Sequence, residues 1–359
     1  MLYKLLAPVV LLCLHGIPAW AQNPPVTVEW QVTLPYGSQD DWPPRISVDQ
    51  GITFWMLSDD FDQYSISDGV IRRYDANGLS LTGTYPEATT IGCGGSLDHP
   101  VDLFVRNDSI WGIAYWQTLG GAPQDILYCA QGPSSVWVPD ANANGAELHD
   151  GIHSMLVYAD RRYLCAWHEP STGQRDGLIV ALDHLENVLW TTELPSNSYG
   201  TVQSAAELGD SIAVAGFPDL YWLRRSDGMH SSTTQLYTGA QGSGVVLRNG
   251  TDLYWAATEA GTVHYGKLDL LGNAVWSGTA PEISVNAIAV DDQGRLWIGG
   301  NGASEGKLIK VEADGTNAGT FTNGATITDL DFTNGRLSWT GRMIANDPTS
   351  YLINTTPDP

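Results

Sequence analysis

Short apolar runs alternate with turn residues along almost the whole chain. The runs are rich in β-branched and aromatic residues, and no segment keeps helical spacing for more than two turns. Period-two runs bounded by Gly, Asp and Asn are typical of β-strands. The chain has 39 glycines, and only 16% of its residues are charged. The pattern therefore predicts an all-β protein made of many short strands.

One segment recurs seven times: a strand, a tight polar turn, and a second strand that in six of the copies has an aromatic residue near its start. The clearest copy is AIAVDDQGRLWIGG, residues 287–300. A period of roughly 40–50 residues with four strands per unit is that of β-propeller blades. We therefore predict a seven-bladed β-propeller whose blades start near residues 45, 100, 152, 202, 243, 284 and 325. The second strands open at Ile52, Ile110, Tyr163, Ile212, Leu253, Leu296 and Leu337.

A second repeated piece predicts how the ring closes. The segments VLWTTELP (188–195) and AVWSGTAP (274–281) end two blades, and VEWQVTLP (28–35) has the same spacing from tryptophan to proline. Residues 22–36 are therefore predicted to be the outer strand of blade seven, which has no such strand of its own. Pairing this strand with the last blade would leave the sheet without an open edge.

Two of the repeats resemble known propeller repeats. GLIVALDHLENVLW (177–190) resembles the quinoprotein repeat, and AVDDQGRLWIGG (289–300) resembles the NHL or sensor-propeller repeat. The chain thus resembles secreted bacterial β-propeller repeat proteins over nearly all of its length after the first 21 residues. This resemblance implies architecture only. Glu186 stands where the quinoprotein repeat usually has glycine, so no pyrroloquinoline quinone site is implied.

Residues 1–21 have the features of an export signal. Lys4 precedes an apolar run over residues 5–14, and Ala19-Trp20-Ala21 has the small-x-small pattern that signal peptidase cleaves. We predict cleavage near Ala21, a single propeller domain over residues 22–359, and a secreted protein, either extracellular or periplasmic. No later run approaches the length of a membrane-spanning helix, so no transmembrane segment is predicted.

The charge balance is strongly acidic. The chain has 17 basic and 40 acidic residues, a net charge of −23, and loss of Lys4 with the signal makes it −24. Such a field repels nucleic acid and favours cations. Cys93, Cys129 and Cys165 remain after the signal, an odd number that leaves any disulfide pairing among them undecided.

Loop lengths predict which side of the propeller binds a partner. Connections that open on one face are long in blades one to three, and they cover residues 36–44, 58–69, 86–99, 115–125, 139–151 and 168–177. They are short in blades four to six, with one further long connection over 342–350, and we call this side the long-loop face. Ten of the 13 tryptophans outside the signal fall within the repeat, where they are expected to fill the space between blades. Trp42 and Trp116 lie in predicted loops and, with Tyr115 and His99, are the candidate binding residues for a protein, peptide or glycan.

One predicted loop has metal-ligand spacing. Asp140, Asn142 and Asn144, followed by Gly145, match the first half of a calcium loop. Gly151 occupies the position of the usual glutamate, so Glu147 or Asp150 would supply the last ligand. The alternative interpretation is a surface turn rich in Asn and Gly. Calcium is the cofactor that this loop spacing suggests.

Catalytic signals are weak. His149 and His168, with Asp150 or Glu169, could bind zinc or act as acid and base, but no rigid helical spacing holds them. The chain has no nucleophile elbow and no phosphate-binding glycine loop. The first hypothesis is therefore a secreted, non-catalytic propeller that binds a partner on the long-loop face. The alternatives are an extracellular metal-dependent hydrolase or lyase acting on a glycan or lactone, and a structural module of a cell-envelope assembly.

Overall fold

The protein is all-β, as the apolar pattern predicts. The computed structural model describes residues 26–35, 44–60, 67–81, 89–91, 98–106, 109–116, 126–130, 135–137, 150–158, 160–171, 174–185, 187–194, 202, 204–240, 242–281, 283–303, 305–323, 325–342 and 349–357. These residues form strands and turns without any helix, and hence no helix that is long and apolar enough to cross a membrane. Their 28 strands make seven antiparallel four-stranded sheets.

Each of the first six sheets is a meander of four consecutive strands, with the first strand innermost. Sheet 1 contains β2 Arg45–Asp49, β3 Ile52–Asp60, β4 Ser67–Tyr74 and β5 Thr89–Ile91. Sheet 2 contains β6 Asp98–Arg106, β7 Ser109–Trp116, β8 Ile126–Ala130 and β9 Ser135–Trp137. Sheet 3 contains β10 Asp150–Val157, β11 Arg161–Ser171, β12 Gln174–Asp183 and β13 Val188–Glu193.

The second half of the chain repeats this arrangement with shorter connections. Sheet 4 contains β14 Ala205–Leu208, β15 Ser211–Gly216, β16 Asp219–Arg224 and β17 His230–Gln235. Sheet 5 contains β18 Ser243–Asn249, β19 Asp252–Glu259, β20 Thr262–Leu268 and β21 Ala274–Pro281. Sheet 6 contains β22 Ser284–Val290, β23 Leu296–Asn301, β24 Gly306–Val311 and β25 Asn317–Asn323.

Sheet 7 joins the two ends of the described chain. It contains β26 Asp329–Thr333, β27 Arg336–Arg342, β28 Thr349–Pro357 and, as its outer strand, β1 Val26–Pro35. β1 runs antiparallel to β28, with Trp30 opposite Asn354 and Val32 opposite Leu352. The β26–β27 turn is a tight hairpin. Asn334 and Gly335 have φ of 55° and 75°, the left-handed values that such a turn requires.

The sequence repeat corresponds to the sheets. Ile52 and Leu296 begin the second strands of sheets 1 and 6, and the other five predicted openings fall within two residues of a second-strand start. The repeat predicted from sequence is thus confirmed.

Large aromatic residues fill the spaces between neighbouring sheets. Four tryptophans on second strands are 2% exposed or less, and each belongs to a core cluster that combines residues of two sheets. These residues are Trp55, Trp255, Trp297 and Trp339. Their burial explains why the second strands of these four sheets carry a large aromatic residue.

The connections of sheets 1 and 3 are shorter than predicted. Loops were expected over residues 58–69 and 168–177, but β3 continues to Asp60 with β4 starting at Ser67, and β11 continues to Ser171 with β12 starting at Gln174. Asp59, Asp60, His168 and Ser171 stay in the antiparallel ladder, each with a partner on the adjacent strand. Backbone pairing therefore overrides local polarity at these strand ends.

Candidate functional site

The first strands of all seven sheets surround one cavity of about 750 Å³. Its wall includes both ends of these strands, so the cavity follows their length. The middle of the wall is apolar, whereas the end on the long-loop face carries serine, asparagine and charged side chains. Each sheet contributes at least one lining residue, and these include Ile46, Leu103, Met155, Ala205, Val246, Ile288 and Asp329.

A repeated hydrogen bond connects neighbouring sheets around this cavity. In each case a polar side chain of one sheet accepts the backbone N–H of a residue at or beside the first strand of the next sheet. The acceptor and donor pairs are Ser47 and Val105 (3.0 Å), Asp102 and Met155 (2.8 Å), Tyr158 and Glu207 (2.8 Å), Ser204 and Val246 (2.7 Å), Thr258 and Val285 (2.7 Å), Asn301 and Ile327 (3.1 Å), and Asp329 and Ile46 (2.9 Å). These bonds satisfy backbone N–H groups between the sheets, and five of the acceptors, Asp102, Tyr158, Ser204, Asn301 and Asp329, also line the cavity.

Carboxyl groups stand out among these acceptors. Asp102 and Asp329 line the cavity, and Asp331 lies two residues further along β26, where it accepts the N–H of Val48 at 2.6 Å. Burial raises the pKa of Asp329 to about 7 and that of Asp331 to about 6, and it also raises the pKa of Asp102. The guanidinium of Arg45 opposes the shift at Asp102 and Asp329 without cancelling it. Its Nη1 donates to the carbonyl of Thr328 at 3.1 Å.

Acidification is expected to stabilise the junction of sheets 7 and 1. Because their folded pKa values exceed the unfolded value, Asp329 and Asp331 bind more protons when folded between about pH 4 and pH 7, so stability falls as pH rises through this window. The double variant Asp329→Asn/Asp331→Asn should remove part of the Tm difference between pH 5.5 and pH 8, on the order of 2–4 °C. Thermal unfolding of both proteins at the two pH values measures this, and parallel pH slopes would contradict it.

The structure corrects the predicted placement of two candidate binding residues. Tyr115 and Trp116 were expected in a loop, but both lie in β7, where the backbone register sets Tyr115 opposite His99 and Trp116 opposite Asp98. Residues at the start of β6 pair with Tyr115 and Trp116 through the backbone, so β7 continues past its apolar run. The structure therefore brings His99 and Tyr115 together on adjacent strands.

The other predicted site residues divide between sheet 3 and parts of the chain that the structure does not describe. Asp150 begins β10 opposite His168 of β11, which in turn lies opposite Asp176 of β12; Glu169 is the next residue of β11. Within the described ranges no group of three or more His, Cys, Asp or Glu side chains is placed to hold a metal ion. The remaining predicted residues lie outside the described ranges: Trp42, Asp140, Asn142, Asn144, Glu147 and His149.

Sequence reasoning missed the charged residues of the cavity. Their signal is a carboxyl residue inside the apolar run of a first strand, as in VDLFV around Asp102 and ITDLDF around Asp329 and Asp331. In a first strand that packs against its neighbours, such a residue needs a buried partner. The backbone of the next sheet is that partner.

The comparisons with known proteins agree with this architecture. A family described as "two component regulator propeller" matches residues 274–302, from β21 to just beyond the end of β23. This match includes residues 289–300 and so confirms their resemblance to a sensor-propeller repeat. No curated protein matches the chain.

Two solved structures are similar over most of the chain. BamB from Moraxella catarrhalis has 13% identity and a TM-score of 0.52, covering 91% of this chain and 99% of its own. The WD40 β-propeller domain of Doa1 has 12% identity and a TM-score of 0.56, covering 91% of this chain and 96% of its own. At such low identity the likeness shows the fold alone. The chain is a β-propeller repeat protein.

Proposed function

We propose that the seven sheets are the blades of one closed propeller, and that this propeller is a non-catalytic interaction module. Its partner, a protein, peptide or glycan, docks on the long-loop face over the end of the central cavity. The sequence-based hypothesis placed the partner on the long-loop face of blades one to three. The proposal adds the end of the central cavity to this docking surface.

Closure is supported by a contact that recurs at three junctions. In each, the indole Nε1 of an outer-strand tryptophan donates to a backbone carbonyl in the turn between the third and fourth strands of the next sheet, at 3.0–3.2 Å. The ring of each tryptophan also lies against a glycine of that turn, where any Cβ would clash. The pairs are Trp30 with Gly78, Trp190 with Gly228, and Trp276 with Gly315. Trp30 on β1 thus joins sheet 7 to sheet 1 as the others join consecutive sheets.

The observation that carries the proposed function is the cavity itself. A concave site of about 750 Å³ with apolar walls and a few convergent polar groups is the usual form of a ligand site. Asp329 and Asp102, whose pKa values are shifted by burial, add a second feature that is frequent at functional sites. Both features meet at the end of the ring that faces the long loops.

A matched pair of variants in sheet 6 tests the proposal. Ser284 lines the cavity at the long-loop end of β22 and is exposed, whereas Gln293 is exposed in the β22–β23 turn at the opposite end. The labelled full chain, applied to glycan and peptide arrays, is expected to give signals that Ser284→Tyr reduces at least about tenfold by steric exclusion, a loss of 1.4 kcal/mol. Gln293→Tyr should leave these signals unchanged. Signals that survive Ser284→Tyr, or that both variants lose equally, would contradict the proposed docking face.

Export and calcium binding belong to the proposal on the strength of the sequence alone. We propose cleavage near Ala21, and calcium at Asp140, Asn142 and Asn144 with Glu147 or Asp150. N-terminal sequencing and metal analysis of the purified protein test the two points.

A further inference from the structure

We infer that the long-loop end of the central cavity binds a neutral sugar, the end unit of a glycan. The inference rests on the proposed function and narrows its partner to one chemical class. It follows from four features of the cavity: a wall with charges of both signs, a group of neutral hydrogen-bonding side chains, apolar surface beside this group, and first-strand N–H groups that already have partners.

The charged side chains of the wall favour neither an anion nor a cation. Two guanidinium groups, Arg45 and Arg248, and the imidazole of His153 line the cavity together with two carboxyl groups, Asp102 and Asp329. A charged ligand would lose part of its hydration in the cavity without an excess of opposite charge to offset that cost. A neutral ligand avoids this cost.

Neutral polar side chains are concentrated in sheets 4 to 6. They line the cavity close to the long-loop ends of their strands, and each is partly or fully exposed. These residues are Ser204, Ser243, Ser284, Asn286 and Asn301. A serine hydroxyl can both donate and accept a hydrogen bond, and an asparagine amide does the same with its two ends. The set therefore suits a ligand that has many hydroxyl groups, because each hydroxyl also donates and accepts.

The two asparagines are held in place by one residue. Asn286 Nδ2 donates to the carbonyl of Ile327 at 2.7 Å, and Asn301 Oδ1 accepts the N–H of Ile327 at 3.1 Å. Within the described part of the chain, these bonds leave Asn286 Oδ1 able to accept and Asn301 Nδ2 able to donate. An acceptor and a donor fixed near each other can bind two neighbouring hydroxyl groups of a sugar ring, and their fixed orientation lowers the entropic cost of binding.

Apolar surface adjoins these polar groups. Val245, Val285 and Ile288 belong to the same two first strands as Ser243, Ser284 and Asn286, and they also line the cavity. A sugar ring has C–H groups between its hydroxyls, and such groups pack against aliphatic side chains. A few fixed polar groups on an apolar wall are the usual composition of a small-ligand site.

The first strands are less suited to an extended peptide. A peptide that adds to a sheet pairs with an open row of backbone N–H and C=O groups at the edge. Several of these N–H groups along the cavity already have partners, because side chains of the preceding sheet accept those of Met155, Val246 and Val285. A ligand that is recognised by side chains, as a sugar is, is therefore favoured over a peptide strand.

The labelled full chain, applied to a glycan array that pairs neutral glycans with their uronic-acid and amino-sugar counterparts, tests the inference. Signals are expected on neutral glycans and weaker ones on both charged counterparts. Asn301→Asp keeps an acceptor for the N–H of Ile327 but replaces Nδ2 with an oxygen that cannot donate, so it should reduce these signals at least about tenfold. The free oligosaccharide of the brightest spot should compete, which shows that the sugar itself is bound.

Asn317→Asp is the matched control in the same sheet. Asn317 Oδ1 accepts the N–H of Gly319 at 2.8 Å on the exposed outer strand, so the same chemical change should leave glycan binding unchanged. Circular dichroism and Tm establish that both variants are folded. Stronger signals on charged glycans, or equal signals from the unmodified chain and Asn301→Asp, would overturn the inference.

The arrays also separate this inference from the proposed function. If peptides but no neutral glycans give signals that Ser284→Tyr reduces, the sugar site is wrong and the interaction module stands. If no signal on either array responds to Ser284→Tyr, the proposed function itself fails.

Discussion

Removal of residues 26–35 is expected to abolish stable folding of the isolated chain. The deletion strips β28 of its outer partner along the whole register from Val26–Pro357 to Pro35–Thr349. It also removes Val26, 5% exposed, from the core shared with sheet 6, and Trp30 from the core at the junction with sheet 1. We expect a loss above about 5 kcal/mol, comparable to the whole stability of many domains.

Urea unfolding followed by tryptophan fluorescence measures this loss, with a chain that begins at Val26 as the control of full stability. A synthetic peptide of residues 26–35 should restore the folding transition of the truncated chain, because strand addition to an open edge supplies the missing ladder. An unchanged midpoint after the deletion would show that β1 contributes nothing to the ring.

Asp291→Ala is expected to lower the free energy of unfolding by about 3–5 kcal/mol. Asp291 is 2% exposed and accepts the Nε of Arg295 at 2.6 Å and the indole N–H of Trp297 at 2.9 Å. It also accepts the backbone N–H groups of Gln293 and Arg295, which close the β22–β23 turn. Alanine would leave a buried guanidinium and a buried indole N–H without this acceptor, and an uncompensated buried charge is the largest single cost.

Asp314→Ala in the same sheet is the matched control. Asp314 accepts the backbone N–H of Thr316 at 2.9 Å in the β24–β25 turn, but its carboxylate is exposed to water. Chemical denaturation of the two variants should therefore show a much smaller change for Asp314→Ala. Equal losses would mean that the buried cluster of Asp291, Arg295 and Trp297 has no special role.

The sequence made the propeller predictable because its signals are local. Three local signals recur at the blade period: turn residues such as those around Gly294 and Asn334, the apolar alternation of each strand, and, in six of the seven copies, an aromatic residue on the second strand. The shared spacing between Trp30 and Pro35 even indicated that β1 is an outer strand, since the same spacing ends two other blades. Repetition converts weak single signals into a strong common one.

The cavity was not predictable by the same means. Asp102 and Asp329 are separated by more than 200 residues in the sequence, and only the packing of the sheets in three dimensions brings both onto one cavity wall. Arg45 opposes the rise that burial causes in the pKa values of Asp102 and Asp329, because it lies near both of them in three dimensions. No local sequence pattern encodes that proximity. Tyr115 and Trp116 were misplaced for a related reason, because the partner that extends β7 lies at the start of β6 and not in the local sequence.

Pairing of β1 with β28 is the claim on which the ring, the cavity and the docking face all depend, and a disulfide between the two strands tests it most directly. Thr27 and Thr356 are exposed and directly opposite, and paired strand residues have Cα separations of about 4.5–5.5 Å, within disulfide range. After mild oxidation of Thr27→Cys/Thr356→Cys, peptide mapping by mass spectrometry should find the intramolecular 27–356 disulfide in most molecules. The same treatment of Thr27→Cys/Thr233→Cys, with the second cysteine in sheet 4, should give no such link. Absence of the 27–356 disulfide, or its formation only between molecules, would contradict the account.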